Sequence, residues 1–134
     1  MPQNYNELIK SALEARKFSY SPYSKFSVGA ALLTKENRIY TGTNVECASY
    51  SLSICAERVA FSKAVSEGYS SFKAIAIATS RNAYIFPCGA CRQFMYEFGG
   101  NLDVILVKSK SNFIVKKLTE LLPGAFDKKS LDIR

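Results

Sequence analysis

Histidine is absent from the 134 residues of the chain, and only four of them are cysteines. Any zinc site in this protein must therefore be built without an imidazole ligand. No apolar run approaches the roughly 18 residues that a membrane-spanning helix needs, and we find no repeats, linkers or low-complexity segments. The first ten residues, MPQNYNELIK, lack the charged-then-apolar layout of a signal peptide. These absences predict a cytoplasmic protein with reduced thiols and no membrane partner.

The residues that are present favour a globular protein. Hydrophobic residues make up 48% of the sequence and aromatic residues 13%, which suits a buried core and argues against disorder. A chain of 134 residues is expected to fold as one domain that buries about two-thirds of its unfolded surface.

The charge is basic, with a formal net value of +7. Residues 108–134 contain seven basic and three acidic side chains and so carry +4 of this total. A basic tail is typical of some nucleic-acid-binding proteins. Here the lysine pairs at 116–117 and 128–129 lie among acidic residues and lack the interleaved aromatic residues of single-strand binders. We therefore interpret the tail as a solvated surface and expect no nucleic-acid partner.

Hydrophobic periodicity and turn residues predict the element order α-β-β-α-β-α-β-β-α. A capping box from Asn4 to Glu7 marks the start of the first helix, and Gly68 marks the end of the second. The order predicts an α/β fold in which helices cover both faces of a mixed sheet. Helices are predicted near 4–17, 55–67, 88–100 and 117–122, and strands over 26–34, 38–46, 73–79, 103–109 and 112–117.

Three of the cysteines stand at predicted helix starts. In PCGACRQ (87–93), Cys88 and Cys91 are three residues apart, so they share a helix face and can chelate one ion. Cys55, in SICAERVAF, begins another predicted helix. If the two helix starts meet at one edge of the sheet, three sulfurs converge where the positive helix ends favour thiolates. The CxxC alone is compatible with a redox dithiol, half of a structural zinc knuckle or part of a catalytic metal site.

The number of available ligands distinguishes a structural zinc site from a catalytic one. A structural zinc site takes four protein ligands, whereas three cysteines leave one coordination position for water, as in catalytic zinc sites. Cys47 is the possible fourth ligand, but it lies in a strand-end segment away from either helix start, where a small buried side chain is favoured. A redox dithiol would leave Cys55 unexplained.

Glu57 follows Cys55 by two residues, so its side chain points about 200° away around the helix. This direction disfavours shared coordination but allows the carboxylate to reach a water in the open position, as a general acid–base does. The alternative is a surface glutamate favoured by the helix dipole. Three thiolates and Zn²⁺ sum to −1, and Arg58 or Arg92 is a candidate to offset that charge unless it is simply solvated.

The pattern Cys-x-Glu followed by Pro-Cys-x-x-Cys resembles the signature of the zinc-dependent nucleobase and nucleoside deaminases. Over nearly its full length the chain resembles the small, homotetrameric cytidine deaminases. The matching stretches are SPYSKFSVGAALLT (21–34), TNVECASYSLSICAERVAF (43–61), KAVSEG (63–68), PCGACRQ (87–93) and LLPGAF (121–126).

The resemblance implies a three-layer α-β-α sandwich with a mixed five-stranded sheet, formed by a single cytidine deaminase domain over residues 1–134. It implies one Zn²⁺ per subunit and hydrolytic deamination of cytidine and deoxycytidine to uridine and deoxyuridine, with release of ammonia, in pyrimidine salvage. It further implies a homotetramer whose active sites are shared between subunits.

The resemblance also implies roles at the metal. Cys55, Cys88 and Cys91 correspond to the zinc ligands and Glu57 to the proton shuttle. Arg58 corresponds to an arginine that offsets the charge of the third thiolate.

For the substrate, the resemblance assigns Asn44 and Glu46 to the ribose, and two residues two apart on a strand do face the same side. Phe26 corresponds to an aromatic wall of the nucleoside pocket, and Phe126 to one that completes a neighbouring subunit's pocket. Ala56 corresponds to a position whose backbone N–H holds the pyrimidine.

The sequence departs from the family pattern at three positions. Cys47 replaces a usual Asn beside the ribose contact, Phe86 replaces a common Ser before Pro87, and Ser27 replaces a frequent Pro. Two other functions stay open at this point: a deaminase for a modified cytosine nucleoside, and a structural zinc or nucleic-acid-binding module that uses the basic tail.

Overall fold

The computed structural model describes residues 5–131, and its elements follow the predicted order. The helices are α1 (Asn6–Ala15), α2 (Ala56–Ser66), α3 (Gly89–Tyr96) and α4 (Leu118–Leu121), with short 3₁₀ turns at Arg16–Phe18, Tyr50–Leu52 and Lys128–Leu131. The strands are β1 (Val28–Thr34), β2 (Ile39–Thr43), β3 (Phe72–Thr79), β4 (Asp103–Ser109) and β5 (Asn112–Lys117). None of the helices within residues 5–131 is long and apolar enough to span a bilayer.

The five strands form one mixed sheet in the order β2-β1-β3-β4-β5. Strands β3 and β4 are parallel, and the other neighbouring pairs are antiparallel. A parallel pair needs a crossover connection, and α3 lies in the one between β3 and β4. The mixed five-stranded sheet predicted from the sequence is therefore confirmed.

Successive residues of β1 point to opposite faces of the sheet, and each face has its own core. Ala30 and Leu32 pack into a cluster with residues of α2, α3 and α4. Ala31 and Leu33 pack into a second cluster with residues of α1. The sheet is thus the middle layer of an α-β-α sandwich, as predicted.

Helix α2 lies unusually close to the sheet at Gly42 of β2. A Cβ atom on Gly42 would lie 2.4 Å from the carbonyl oxygen of Ala56 and 2.5 Å from the backbone nitrogen of Ala60. Because both contacts are with helix backbone, only glycine allows this approach. The close approach fixes the first turn of α2 relative to the sheet.

The main differences from the predicted elements are at their ends. Strand β2 ends at Thr43 instead of residue 46, because beyond Asn44 the chain no longer pairs with β1, and Val45 pairs with Tyr20 and Ile54 instead. The predicted capping box involves Asn4, which lies outside the described residues, and Tyr5 occupies the N-cap of α1. Gly68 has φ of +98° just after α2, which confirms the predicted helix end.

Candidate metal centre and active site

Helices α2 and α3 each begin directly after a cysteine, since Cys55 and Cys88 are their N-cap residues. Their first turns meet on the same face of the sheet. The Sγ atoms of Cys55, Cys88 and Cys91 all lie within 4.8 Å of one another, and none of these cysteines is in a disulfide. Cys47 is not part of this group, which argues against the closed four-cysteine site.

The donor set fits a zinc ion. Two thiolates bound tetrahedrally to one zinc at about 2.3 Å lie about 3.8 Å apart, and the Sγ atoms of Cys55 and Cys88 are 3.9 Å apart. The backbone N–H of Cys91 donates to Cys88 Sγ at 3.4 Å. Cys91 is buried while Cys88 is exposed, so the cluster is reached from the side of Cys88.

Arg58, rather than Arg92, is the cation at the sulfur cluster. Its Nη2 lies 3.9 Å from Cys55 Sγ, and its Nε is buried without a hydrogen-bond partner among residues 5–131. A half-buried guanidinium with a buried, unbonded Nε suits a site whose sulfurs carry several negative charges.

The sulfurs influence one another's protonation. The hydrogen bond from Cys91, helped by Arg58, lowers the pKa of Cys55 to about 5. The same bond raises the pKa of Cys91, which holds the shared proton, and burial adds to the effect. A metal that binds here must displace that proton, so its affinity falls as the pH falls.

Beside the sulfurs lies a cavity of about 210 Å³, and its wall includes Cys55, Ala56, Glu57 and Cys88. Glu57 is only 4% exposed. The pKa of its carboxyl group is raised to about 7, and burial is the main cause. The rest of the wall is mainly apolar and comprises Phe26, Val28, Asn44, Ile77, Thr79, Ile85, Phe86 and Pro87. A buried acid beside a cluster of metal ligands in an apolar cavity is an arrangement typical of an active site.

The family of this chain follows from its sequence profile. The family described as “Cytidine and deoxycytidylate deaminase zinc-binding region” matches residues 2–107. The chain belongs to this family. The family binds zinc, and the sulfur cluster is a group of residues that could hold the ion.

Individual relatives of this deaminase agree over most of its length. It is 48% identical to the cytidine deaminase of Sporosarcina psychrophila over 126 residues, which make up 93% of each chain. It is 46% identical to a probable cytidine deaminase of Dictyostelium discoideum over 130 residues, 96% of this chain and 88% of the relative. A crystal structure of cytidine deaminase from Burkholderia pseudomallei has a TM-score of 0.87 and 44% identity, and the match covers 92% of this chain and 100% of that one. The α/β fold is thereby confirmed.

The two residues assigned to the ribose lie in different surroundings in this deaminase. Asn44 lines the cavity, where its Oδ1 accepts from Val28 N at 3.0 Å and its Nδ2 donates to the carbonyl of Phe26 at 2.8 Å. Glu46 lies in the wall of a neighbouring cavity and accepts from Ser24 Oγ and, at 3.1 Å, from Ser24 N. The alternation of side chains along a strand predicted that Asn44 and Glu46 face the same side of the sheet. It does not apply to them, because β2 ends at Thr43.

The two phenylalanines assigned to the pocket also differ. Phe26 lines the cavity, and the guanidinium carbon of Arg81 lies 5.3 Å from the centre of its ring. Phe126 is 56% exposed and does not line that cavity. Its carbonyl accepts a hydrogen bond from Gln93 of α3.

Three contributors to the site had no signal in the sequence. Ser24 binds the Glu46 carboxylate, Arg81 stacks on Phe26, and Arg92 donates to the backbone carbonyls of Pro87 and Leu121. Except for the bond to Pro87, each contact joins segments that are distant in sequence, and no spacing rule connects them. For Arg92, the sequence offered a hydrogen bond to the sulfurs or a solvated surface; the half-buried side chain instead donates to two backbone carbonyls, which neither reading included.

Proposed function

We propose that this chain deaminates cytidine and deoxycytidine by hydrolysis, giving uridine or deoxyuridine and ammonia. The observation that carries the proposal is the cluster of three cysteine sulfurs, two of which line an apolar cavity together with a buried glutamate. Family membership and the names of the relatives support the choice of substrate. Salvage of pyrimidines is the metabolic role that we infer from this reaction.

Cys55, Cys88 and Cys91 would hold one zinc ion per chain. When bound, zinc supplies Lewis acidity and makes a water more acidic, which provides the nucleophile for C4 of the cytosine ring. Arg58, at 3.9 Å from Cys55 Sγ, offsets part of the thiolate charge. This compensation preserves the acidifying effect that three thiolates would otherwise weaken.

Glu57 is the proposed proton shuttle. Its carboxyl group lies in the cavity wall, buried from bulk solvent, so it exchanges protons with the substrate and the reacting water. It first takes one proton from the water and gives it to N3 of the cytosine ring as the water oxygen bonds to C4. It then takes the second proton from that oxygen and gives it to the exocyclic amine, so that the C4–N bond breaks, the C4 carbonyl forms and ammonia leaves. The carboxyl group acts as base and then as acid in each step and returns to its starting state.

The cavity wall offers contacts that would orient the nucleoside. Ala56 is the first residue of α2, so its N–H has no intrahelical acceptor and can bind the pyrimidine. The amide of Asn44 keeps one of its two N–H donors beyond the bond to Phe26, and we assign it to the ribose. We assign Glu46 to the sugar as well, which requires its carboxylate to exchange the bonds to Ser24 for the substrate. Phe26 provides the aromatic wall.

The direct test is to incubate zinc-loaded protein with cytidine and to follow the loss of ultraviolet absorbance together with ammonia release. We expect turnover at 1–1000 per second, roughly the range of ordinary enzymes. Removal of zinc by a chelator should abolish turnover and added zinc should restore it, because the three thiolates alone cannot activate water. Zinc-replete protein that leaves cytidine intact would refute the proposal, and salt-dependent RNA binding without turnover would favour a nucleic-acid-binding module.

We also propose that the active enzyme is a homotetramer in the cytoplasm, whose reducing conditions keep the zinc-binding cysteines as thiols. In it, Phe126 of one subunit would complete the pocket of another. The 56% exposure of Phe126 and its absence from its own chain's cavity support this arrangement. Such exposure of a large apolar side chain is typical of a residue that contacts another subunit.

Mixing two defective variants tests the shared pocket. Phe126→Ala should raise KM about tenfold or more, since an aromatic side chain that buries its area at an interface contributes strongly to binding. Glu57→Gln should be inactive, but this variant retains Phe126. Co-refolded mixtures should therefore regain sites with low KM, built from Glu57 of one chain and Phe126 of another. If the mixture shows only the sum of the two separate activities, Phe126 serves its own chain.

A further inference from the structure

Two neighbouring residues of α3 connect the metal-ligand turn to the C-terminal segment. Arg92 and Gln93 directly follow Cys91, and both side chains donate to backbone carbonyls outside their own helix. None of these three bonds is explained by the chemistry at the cavity. Both residues are only half-buried, so a core-packing role does not account for them.

Arg92 holds two separate pieces of chain. Its Nε donates to the carbonyl of Pro87 at 2.8 Å, and its Nη1 donates to the carbonyl of Leu121 at 2.7 Å. The first bond fixes the peptide plane between Pro87 and Cys88, because a carbonyl oxygen and the following N–H share one plane. The second caps the last residue of α4. Only the guanidinium fork presents rigid donors in two directions, whereas lysine presents one charge.

Gln93 extends this link toward Phe126. Its Nε2 donates to the carbonyl of Phe126 at 2.7 Å, across 33 residues of sequence. Between Leu121 and Phe126 the chain turns at Gly124, which has φ of +64°. The two bonds from α3 thus hold both ends of the segment 121–126, and the ring of Phe126 projects from the second of them.

We propose that Arg92 and Gln93 are positioning residues that set the Cys88 turn and the Phe126 segment from one helix. The inference rests on the proposed function insofar as Phe126 completes a neighbouring pocket. Helix α3 then fixes the Cys88 turn of one active site relative to the Phe126 ring that completes another. A displacement of either element is therefore transmitted to the other.

The kinetic test compares two substitutions of Gln93. Gln93→Met keeps the length of the side chain but removes the donor, and Gln93→Lys keeps a donor. We expect Gln93→Met to raise KM for cytidine about 3- to 10-fold, the range expected for one lost hydrogen bond, with kcat and zinc content unchanged. Gln93→Lys should restore KM to within about twofold. Equal KM values for the Met and Lys variants would overturn the role of Gln93.

The control is Glu97→Gln at the end of the same helix. Glu97 makes an exposed ion pair with Lys128 at 3.9 Å, and such pairs contribute little. KM should therefore stay at its original value. A rise as large as that of Gln93→Met would mean that any change near this helix end disturbs the site, and the specific role of Gln93 would be wrong.

Arg92 is tested through metal release as well as kinetics. Arg92→Lys should accelerate zinc loss to a chelator about 3- to 10-fold, because the turn before Cys88 is no longer held, and should also raise KM. Gln93→Met should leave the rate of zinc loss unchanged. If zinc loss from Arg92→Lys matches that of the original protein, Arg92 does not set the metal-ligand turn.

A fluorescence test is independent of turnover. The sequence has no tryptophan, so Phe126→Trp introduces a single indole at the end of the link. Zinc binding to the apoprotein should shift the emission or anisotropy of this indole, and adding Gln93→Met should abolish the shift. An identical response in both proteins would overturn the coupling. Failure to deaminate cytidine would instead refute the proposed function while leaving this measurement valid.

Discussion

Glu57→Gln should abolish turnover almost completely while leaving the fold and the zinc content intact. The amide has the same shape as the carboxyl group but neither gives up nor accepts a proton near neutral pH. Because the proposed reaction uses Glu57 both as base and as acid, we expect kcat to fall at least about 10²- to 10⁴-fold. The measurement is cytidine turnover at saturating substrate, with bound zinc measured on the same sample.

The matched control for this variant is Glu7→Gln. Glu7 is also an acid in the first turn of a helix, but it is exposed on α1, on the opposite face of the sheet. If Glu57 served only to complement the helix dipole, both substitutions would have similar, small effects. We expect Glu7→Gln to stay within about twofold of the original activity, as a small helix-dipole term allows. Substantial turnover by Glu57→Gln would show that another group moves the proton.

Gly42→Ala should destabilise the protein and impair catalysis although it lies in a strand, away from the chemistry. The new methyl group would lie 2.4 Å from the carbonyl oxygen of Ala56, so the first turn of α2 must move. Forcing a group into a packed contact of this kind costs about 2–3 kcal/mol. Since that turn carries Cys55 and Glu57, we also expect kcat/KM to fall about tenfold or more. Denaturant unfolding of the zinc-loaded protein measures the first effect.

Gly89→Ala is the matched control for stability. Gly89 lies in the first turn of α3, and a Cβ atom there meets nothing within 4 Å. The substitution replaces glycine by a better helix former in open space, so stability should change by less than about 1 kcal/mol. A similar loss in both variants would mean that glycine is needed at both sites for flexibility, and the close approach of α2 would not be the cause at Gly42.

The elements of the fold were predictable because their signals are local. Gly68 and Gly99 take positive φ values just beyond α2 and α3, as the sequence punctuation indicated. The cysteines at 55 and 88 stand at the helix N-caps, where the CxE and CxxC motifs placed them. Periodicity and caps depend on a few neighbouring residues, and these do not change when the chain folds.

The finer arrangement of the site was not predictable because it depends on loops. The alternation rule put Asn44 and Glu46 on one side, yet β2 ends at Thr43 and Val45, which lies between them, pairs with Tyr20 and Ile54 instead. Glu46 then reaches Ser24, and Arg92 reaches Leu121, 29 residues away. Which carbonyl or hydroxyl a long side chain reaches is decided by tertiary packing, and residue type and spacing do not encode it.

The meeting of two helix starts has a consequence for folding thermodynamics. Cys55 and Cys88 are 33 residues apart in sequence, and one ion bound to both closes that length of chain. A cross-link over such a loop removes about 4 kcal/mol of entropy from the unfolded chain, a large part of the stability of an ordinary domain. The ion would then stabilise the fold as well as support catalysis, because the free energy of its binding adds to the free energy of unfolding. Loss of zinc would therefore leave a protein that is easier to unfold and to degrade, so metal supply would govern how much of this enzyme persists.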